Sequence, residues 1–146
     1  MRRAMSGILA VVALVATGCA SMDSGMAAKQ PLYDRLGGKG AIQAVVDDFI
    51  GNVAGDARIN KRFANADIPR LKTKLVDQIC EASGGPCKYT GASMMDAHRG
   101  MNVTDAEFTA LVEDLVKSLD KFKVPPQEKT ELLSALGGMK PQIVGK

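Results

Sequence analysis

From residue 40 the apolar side chains Ile42, Val45, Val46, Phe49, Ile50 and Val53 recur at intervals of three and four, with Asp47, Asp48 and Asn52 between them. That spacing gathers the apolar groups into one stripe and predicts an amphipathic helix. The same period returns in Ile68, Leu71, Leu75 and Ile79, behind a start signal at Asp67 with Pro69 two places on. It returns again in Phe108, Leu111, Val112, Leu115, Val116 and Leu119, where Thr104-Asp105-Ala106-Glu107 has the spacing of a capping box. A last helix is expected to start near Gln127, with Leu132, Leu133, Leu136, Met139 and Ile143 inward and Gly137-Gly138 bending or fraying it. A single helical turn is expected at 32–36, closed by Gly37-Gly38, and a short helix carrying Phe63 at 57–64. Strand-like alternation of useful length is absent, as are repeats. The pattern therefore gives a small all-α domain whose stripes are buried on one another.

A chain of 146 residues with 46% apolar side chains suits one core. Its first residues stand apart. Met1-Arg2-Arg3 and the apolar run from Ile8 to Val15 have the charged start and short middle of an export signal, and the run is too short to span a bilayer. It ends in Ala16-Thr17-Gly18-Cys19, which resembles a bacterial lipoprotein cleavage box, although leucine is usual where Ala16 stands and cleavage after Ala20 is the alternative. The resemblance implies a lipidated Cys19 that anchors the chain to a membrane, and Ala20 after it implies the outer membrane, facing the periplasm. The expected organisation is a signal peptide over 1–18, a lipidated or flexible tether over 19–31 and a folded domain over 32–146. Removing Arg2 and Arg3 from the 19 basic residues leaves 17 against 16 acidic ones, so the mature chain is nearly neutral. No basic, aromatic-interleaved patch occurs, which argues against a nucleic-acid partner.

Setting Cys19 aside leaves Cys80 and Cys87, an even pair in an oxidising compartment. Cys80 falls near a helix end and Cys87 just after Gly84-Gly85-Pro86, so the chain can turn back and bring their Cα atoms within about 7 Å. The alternatives are a disulfide bracing the connector that leads on to residue 98, or two separate thiols, one buried and one exposed. Two cysteines and one histidine fall short of a four-ligand zinc site unless a carboxylate joins them.

That histidine, His98, is the only one in the chain, and it sits on a short turn isolated by the glycine- and proline-broken connector before it and Gly100 after it. A lone histidine is more often a surface or satisfied core residue than a ligand. Its company changes the picture. Gly84-Gly85-Pro86, Tyr89, Gly91, Met94, His98 and Gly100 resemble the stretch around the haem-ligating histidine of group 1 truncated haemoglobins, the shortened two-over-two helical globins. Leu32-Tyr33-Asp34-Arg35-Leu36-Gly37-Gly38, Asp48-Phe49, Phe63 and Arg70-Leu71-Lys72 extend the resemblance over about residues 31 to 144.

The resemblance implies a truncated globin fold, haem b as cofactor and its iron held by His98. It further implies that Phe63 packs on the porphyrin, that Phe49 lines the distal wall, and that dioxygen, nitric oxide or carbon monoxide is the partner. From periodicity alone, both phenylalanines read as core. Many family members carry a tyrosine and a glutamine as hydrogen-bond donors to the bound gas where this chain has Ile50 and Leu75, and Leu71 is the remaining distal neighbour. Each missing donor forgoes roughly 1 kcal/mol or more of stabilisation of dioxygen, so oxygen is expected to leave quickly. Lys74 could reach a haem propionate, fold over the iron or remain solvated. With one histidine, two-histidine coordination within a monomer is impossible; Met94, Met95 and Met101 flank His98 and read as adaptable packing. Reversible gas binding is the expectation. Its rivals are a nitric oxide dioxygenase or peroxidase-like enzyme, an electron-transfer protein with a redox partner, and a haem-free helical lipoprotein.

Overall fold

The computed structural model describes residues 29–146. The expected signal peptide and Cys19 lie outside the described residues. Six α-helices follow one another: α1 (Leu32–Arg35), α2 (Gly38–Gly55), α3 (Ile68–Ala82), α4 (Met94–His98), α5 (Asp105–Lys121) and α6 (Pro126–Gly137). Among the described residues there is no strand, only an isolated parallel bridge between Val103 and Val144. The 57–64 region forms a 3-10 helix at Asn60–Phe63, and a second 3-10 helix at Lys140–Gln142 follows α6.

α2 is the centre of the domain. All six of its stripe residues are buried, and it packs against α3 and α5. Its start is sharper than the stripe implies, because Gly37 and Gly38 take φ of 92° and 74°, a left-handed pair that turns α1 straight into α2. Both expected caps form. The Asp67 side chain accepts from the Arg70 amide at 3.1 Å, and Thr104 and Glu107 close a reciprocal capping box on α5.

The face of α5 that enters the core differs from the stripe. Ala110, Asp114, Leu115, Ser118 and Leu119 are buried, whereas Phe108, Leu111, Val112 and Val116 are only partly covered. Polar groups on the inner face find partners on both helices: Ser118 Oγ donates to Asp48 Oδ2 at 2.8 Å, Asn52 Nδ2 donates to Ser118 Oγ at 2.9 Å and to the Asp114 carbonyl at 3.3 Å, and Lys117 Nζ of α5 donates to Asp114 Oδ1 at 2.7 Å. Asp48 and Asn52 therefore join the helix contact. The partly covered face, with Phe108 and Leu111, is left for another purpose.

The connector between α3 and α4 is fastened back onto α3. Cys80 and Cys87 form a disulfide with Cα atoms 5.7 Å apart, Gly85 N donates to the Cys80 carbonyl at 2.8 Å, and Tyr89 N donates to Glu81 Oε2 at 3.2 Å. Cross-linking removes freedom chiefly from the unfolded chain, and here it also fixes where the next turn begins. Lys29 and Arg35 pair with Glu131 of α6, and Arg35 also reaches Glu128 at 2.7 Å. The last residues of the expected tether thus already touch the domain.

Candidate functional site

α4 is five residues long, too short to be stable on its own, and Ser93 caps it by accepting from the Asp96 amide at 3.1 Å. His98 is its last residue and is half-buried. The Nδ1 atom lies 2.7 Å from the Met94 carbonyl oxygen one turn back. A carbonyl only accepts, so Nδ1 carries the hydrogen, and in the neutral ring that leaves the lone pair on Nε2. This is the tautomer a metal ligand needs.

His98 borders a cleft enclosing about 450 Å³ of empty space, part of it open to solvent. Phe63, Val103, Phe108, Leu111 and Ile143 give it apolar walls, with Ile59 and Met101 completing them. Its polar edge is an ion pair: Arg62 Nε and Nη2 meet the two oxygens of Glu107 at 2.7 and 2.9 Å, and Arg62 Nη1 donates to the Met101 carbonyl at 2.7 Å. The pairing holds the Glu107 carboxyl down at about 2, first through the Arg62 bonds and then through those from Thr104. A second cleft, about 490 Å³ and more open, is lined by Asn52, Asp56, Arg58 and Lys117. Its cation Arg58 is spent on Asp56 and Glu113, and it has no apolar walls for a flat macrocycle.

Of the residues singled out in the sequence, Phe63 and His98 share the first cleft. Phe49 and Ile50 are buried in α2, and Leu71 and Leu75 pack against the same core from α3. They belong to the core cluster and are not among the cleft's lining residues. Lys74 Nζ donates to Thr90 Oγ1 at 2.7 Å, which ties α3 to the connector. The Met94 sulfur accepts from Gln78 Nε2 at 3.2 Å and is thus engaged within the protein. Arg62, Val103 and Glu107 were not legible as site residues. Phe108 and Leu111 were visible only as part of a helical stripe.

Comparison with known proteins bears directly on this arrangement. Residues 31–144, nearly all of the described part, match the bacterial-like globin family. The chain belongs to that family. This globin is 35% identical over 112 residues to a group 1 truncated hemoglobin of Mycolicibacterium paratuberculosis, covering 77% of this chain and 82% of the relative. It is 31% identical over 117 residues to one from Tetrahymena pyriformis, covering 80% and 97%. The crystal structure of the Tetrahymena pyriformis truncated hemoglobin in its Fe(III) form superposes with a TM-score of 0.78, covering 80% of this globin and all of that chain. A Synechococcus 2/2 hemoglobin solved in the cyanomet state with covalently attached heme gives 0.70 at 33% identity, covering 73% and 90%. The fold is the truncated, two-over-two globin arrangement. The donor set fits haem, since an imidazole whose Nδ1 is engaged by a carbonyl, apolar walls and a cation at the rim are what a buried iron porphyrin with carboxylate arms requires.

Proposed function

We propose that this globin holds haem b through His98 Nε2 and binds dioxygen, nitric oxide and carbon monoxide reversibly, as a carrier or sensor of gas rather than an enzyme. When bound, haem supplies the iron at which a diatomic gas is held. The protein supplies the rest. His98 donates one lone pair while the Met94 carbonyl holds its other nitrogen and so sets the ring's orientation. Phe63, Phe108 and Leu111 exclude water from the macrocycle, and Arg62 stands where a propionate could compete with Glu107 for it.

The observation that carries this reading is the His98–Met94 bond at the wall of an apolar cleft. Ile50, Leu71 and Leu75 favour a distal side without hydrogen-bond donors, which suits rapid release of oxygen and gives turnover chemistry no acid or base. Absorption spectra of the haem-loaded chain in ferric, ferrous and carbonyl forms, beside His98→Ala, test it. The alanine variant is expected to lose the proximal-histidine spectrum; unchanged ferrous and carbonyl bands would overturn the assignment. Sustained consumption of nitric oxide with a reductant would move the protein into the enzymes.

The same proposal places the globin outside the cytoplasm, tethered through lipidated Cys19 to the periplasmic face of the outer membrane. The lipoprotein-like box supports the anchor, and the Cys80–Cys87 bridge suits an oxidising compartment. Radiolabelled palmitate incorporated by wild type and lost in Cys19→Ser is the expected result. A soluble, unlabelled product would replace anchoring with plain secretion.

A further inference from the structure

Two sides of His98 need support, because a one-turn helix has little stability of its own. The upstream side has the disulfide-braced connector. Downstream, residues 99–104 belong to no helix, and they include Gly100 at φ 77° and Asn102 at φ 47°. Their fixing comes from the segment after α6. Gly137-Gly138 ends that helix, and the next residues run back along the start of α5.

The returning segment is fastened at three points. Met139 Sδ accepts from Gln78 Nε2 at 3.3 Å, which ties it to α3. Lys140 Nζ pairs with Asp105 at 2.6 Å and stands 5.6 Å from the centre of the Phe108 ring. Gly145 N donates to the Val103 carbonyl at 2.9 Å, while Asn102 N donates to the Lys146 backbone oxygen at 2.7 Å. Between these fastenings Ile143 lines the same cleft as His98 and Phe63.

We infer that residues 139–146 are a strap of the haem site: Ile143 is a wall residue for the macrocycle, and the Gly145 and Lys146 backbone is a latch that positions the segment carrying on from His98. The inference rests on haem being seated at His98. The latch uses main-chain groups, so its sequence requirement is small. Gly145 is the exception, since its φ of 70° suits glycine and forbids proline. Loosening the latch lets residues 99–104 drift, and the imidazole with them. Removing the Ile143 side chain opens one wall of the cleft to water.

Three full-length variants test this. Gly145→Pro breaks the latch without touching the cleft wall, Ile143→Ala removes the wall without touching the latch, and Ile143→Leu keeps it. Each is checked for retained helical circular dichroism. Two measurements are then made, the rate of ferric haem transfer to an excess of a high-affinity apoglobin and amide hydrogen exchange of the haem-free chain. The expected result is haem loss faster by about tenfold in Gly145→Pro and in Ile143→Ala, with Ile143→Leu close to wild type. In the haem-free chain the Asn102 amide is expected to be protected in wild type and Ile143→Ala, and exposed in Gly145→Pro. Unchanged haem loss in both disruptive variants, or fast Asn102 exchange in wild type, overturns the strap. A wild-type chain that takes up no haem instead overturns the globin reading beneath it, while the exchange measurement still decides whether the latch exists.

Discussion

Arg62 and Glu107 meet side on, with Nε to Oε1 at 2.7 Å and Nη2 to Oε2 at 2.9 Å, so that one carboxylate ties the 3-10 turn before Phe63 to the first turn of α5. The same Glu107 accepts from Thr104 N at 2.8 Å and completes the α5 cap. Its guanidinium partner also holds the Met101 carbonyl. The cap, the cleft rim and the segment after His98 are therefore coupled through a single acidic side chain.

Acid is expected to undo this coupling. Glu107 and Glu131 are drawn from the ordinary 4.5 to about 2, chiefly by Arg62 and Arg35, and Asp56 from 3.8 to about 2 by Arg58. Between those values the unfolded chain binds more protons than the folded one. Stability is therefore fully present above about pH 4.5 and falls as pH drops toward 2. Urea midpoints measured from pH 6 down to 2.5 should decline over that window. Glu107→Gln should start lower and decline less; a flat wild-type profile would contradict the assignment.

Restoring a distal donor should slow oxygen release. Leu75→Gln places an amide where the side chain is now apolar and half-buried, worth roughly 1 kcal/mol to bound dioxygen, or about fivefold in dissociation rate. Carbon monoxide, being less polar, should change less. Stopped-flow displacement of oxygen by carbon monoxide measures the first, and displacement of carbon monoxide by nitric oxide the second. Equal effects on the two gases would mean that Leu75 does not face the ligand.

Opening the Cys80–Cys87 bridge releases a loop of seven residues' separation, for which chain entropy gives about 2.5 kcal/mol. Urea unfolding of the haem-free chain with and without reductant should show that loss. Cys80→Ala/Cys87→Ala should match the reduced protein and be indifferent to reductant.

Gly85→Ala should be worse than its size suggests. A Cβ there would lie 2.4 Å from Tyr33 Cδ2 and 2.7 Å from Cys80 Sγ, atoms held by the α1 turn and the disulfide. The expected destabilisation is about 2 kcal/mol or more, read as a lower thermal midpoint. Gly51→Ala, on an open helical position, is the control and should be neutral or slightly stabilising.

Much of this protein is written locally. The α2 stripe, the Asp67 and Thr104 caps and the Gly37-Gly38 corner each depend on residues close in the chain, so spacing and side-chain chemistry alone determine them, whereas the Cys80–Cys87 pair stays open between a disulfide and two thiols until the fold closes it. His98 stands out in the sequence as the only histidine and through the residues around it, while its bond to the Met94 carbonyl appears only in the structure. Which face of α5 meets α2 is a different matter. Periodicity says that a helix has an apolar side but not what the other side will touch: Ser118 is buried because Asp48 and Asn52, more than sixty residues away, come to meet it, while Asp114 lies inward with its backbone carbonyl accepting from Asn52 and its carboxylate paired with Lys117. The cleft results from that choice, as turning Ala110 and Leu115 inward leaves Phe108 and Leu111 facing His98. Arg62, Val103 and Ile143 reach the same place from three distant segments, and only packing of the whole chain brings them there.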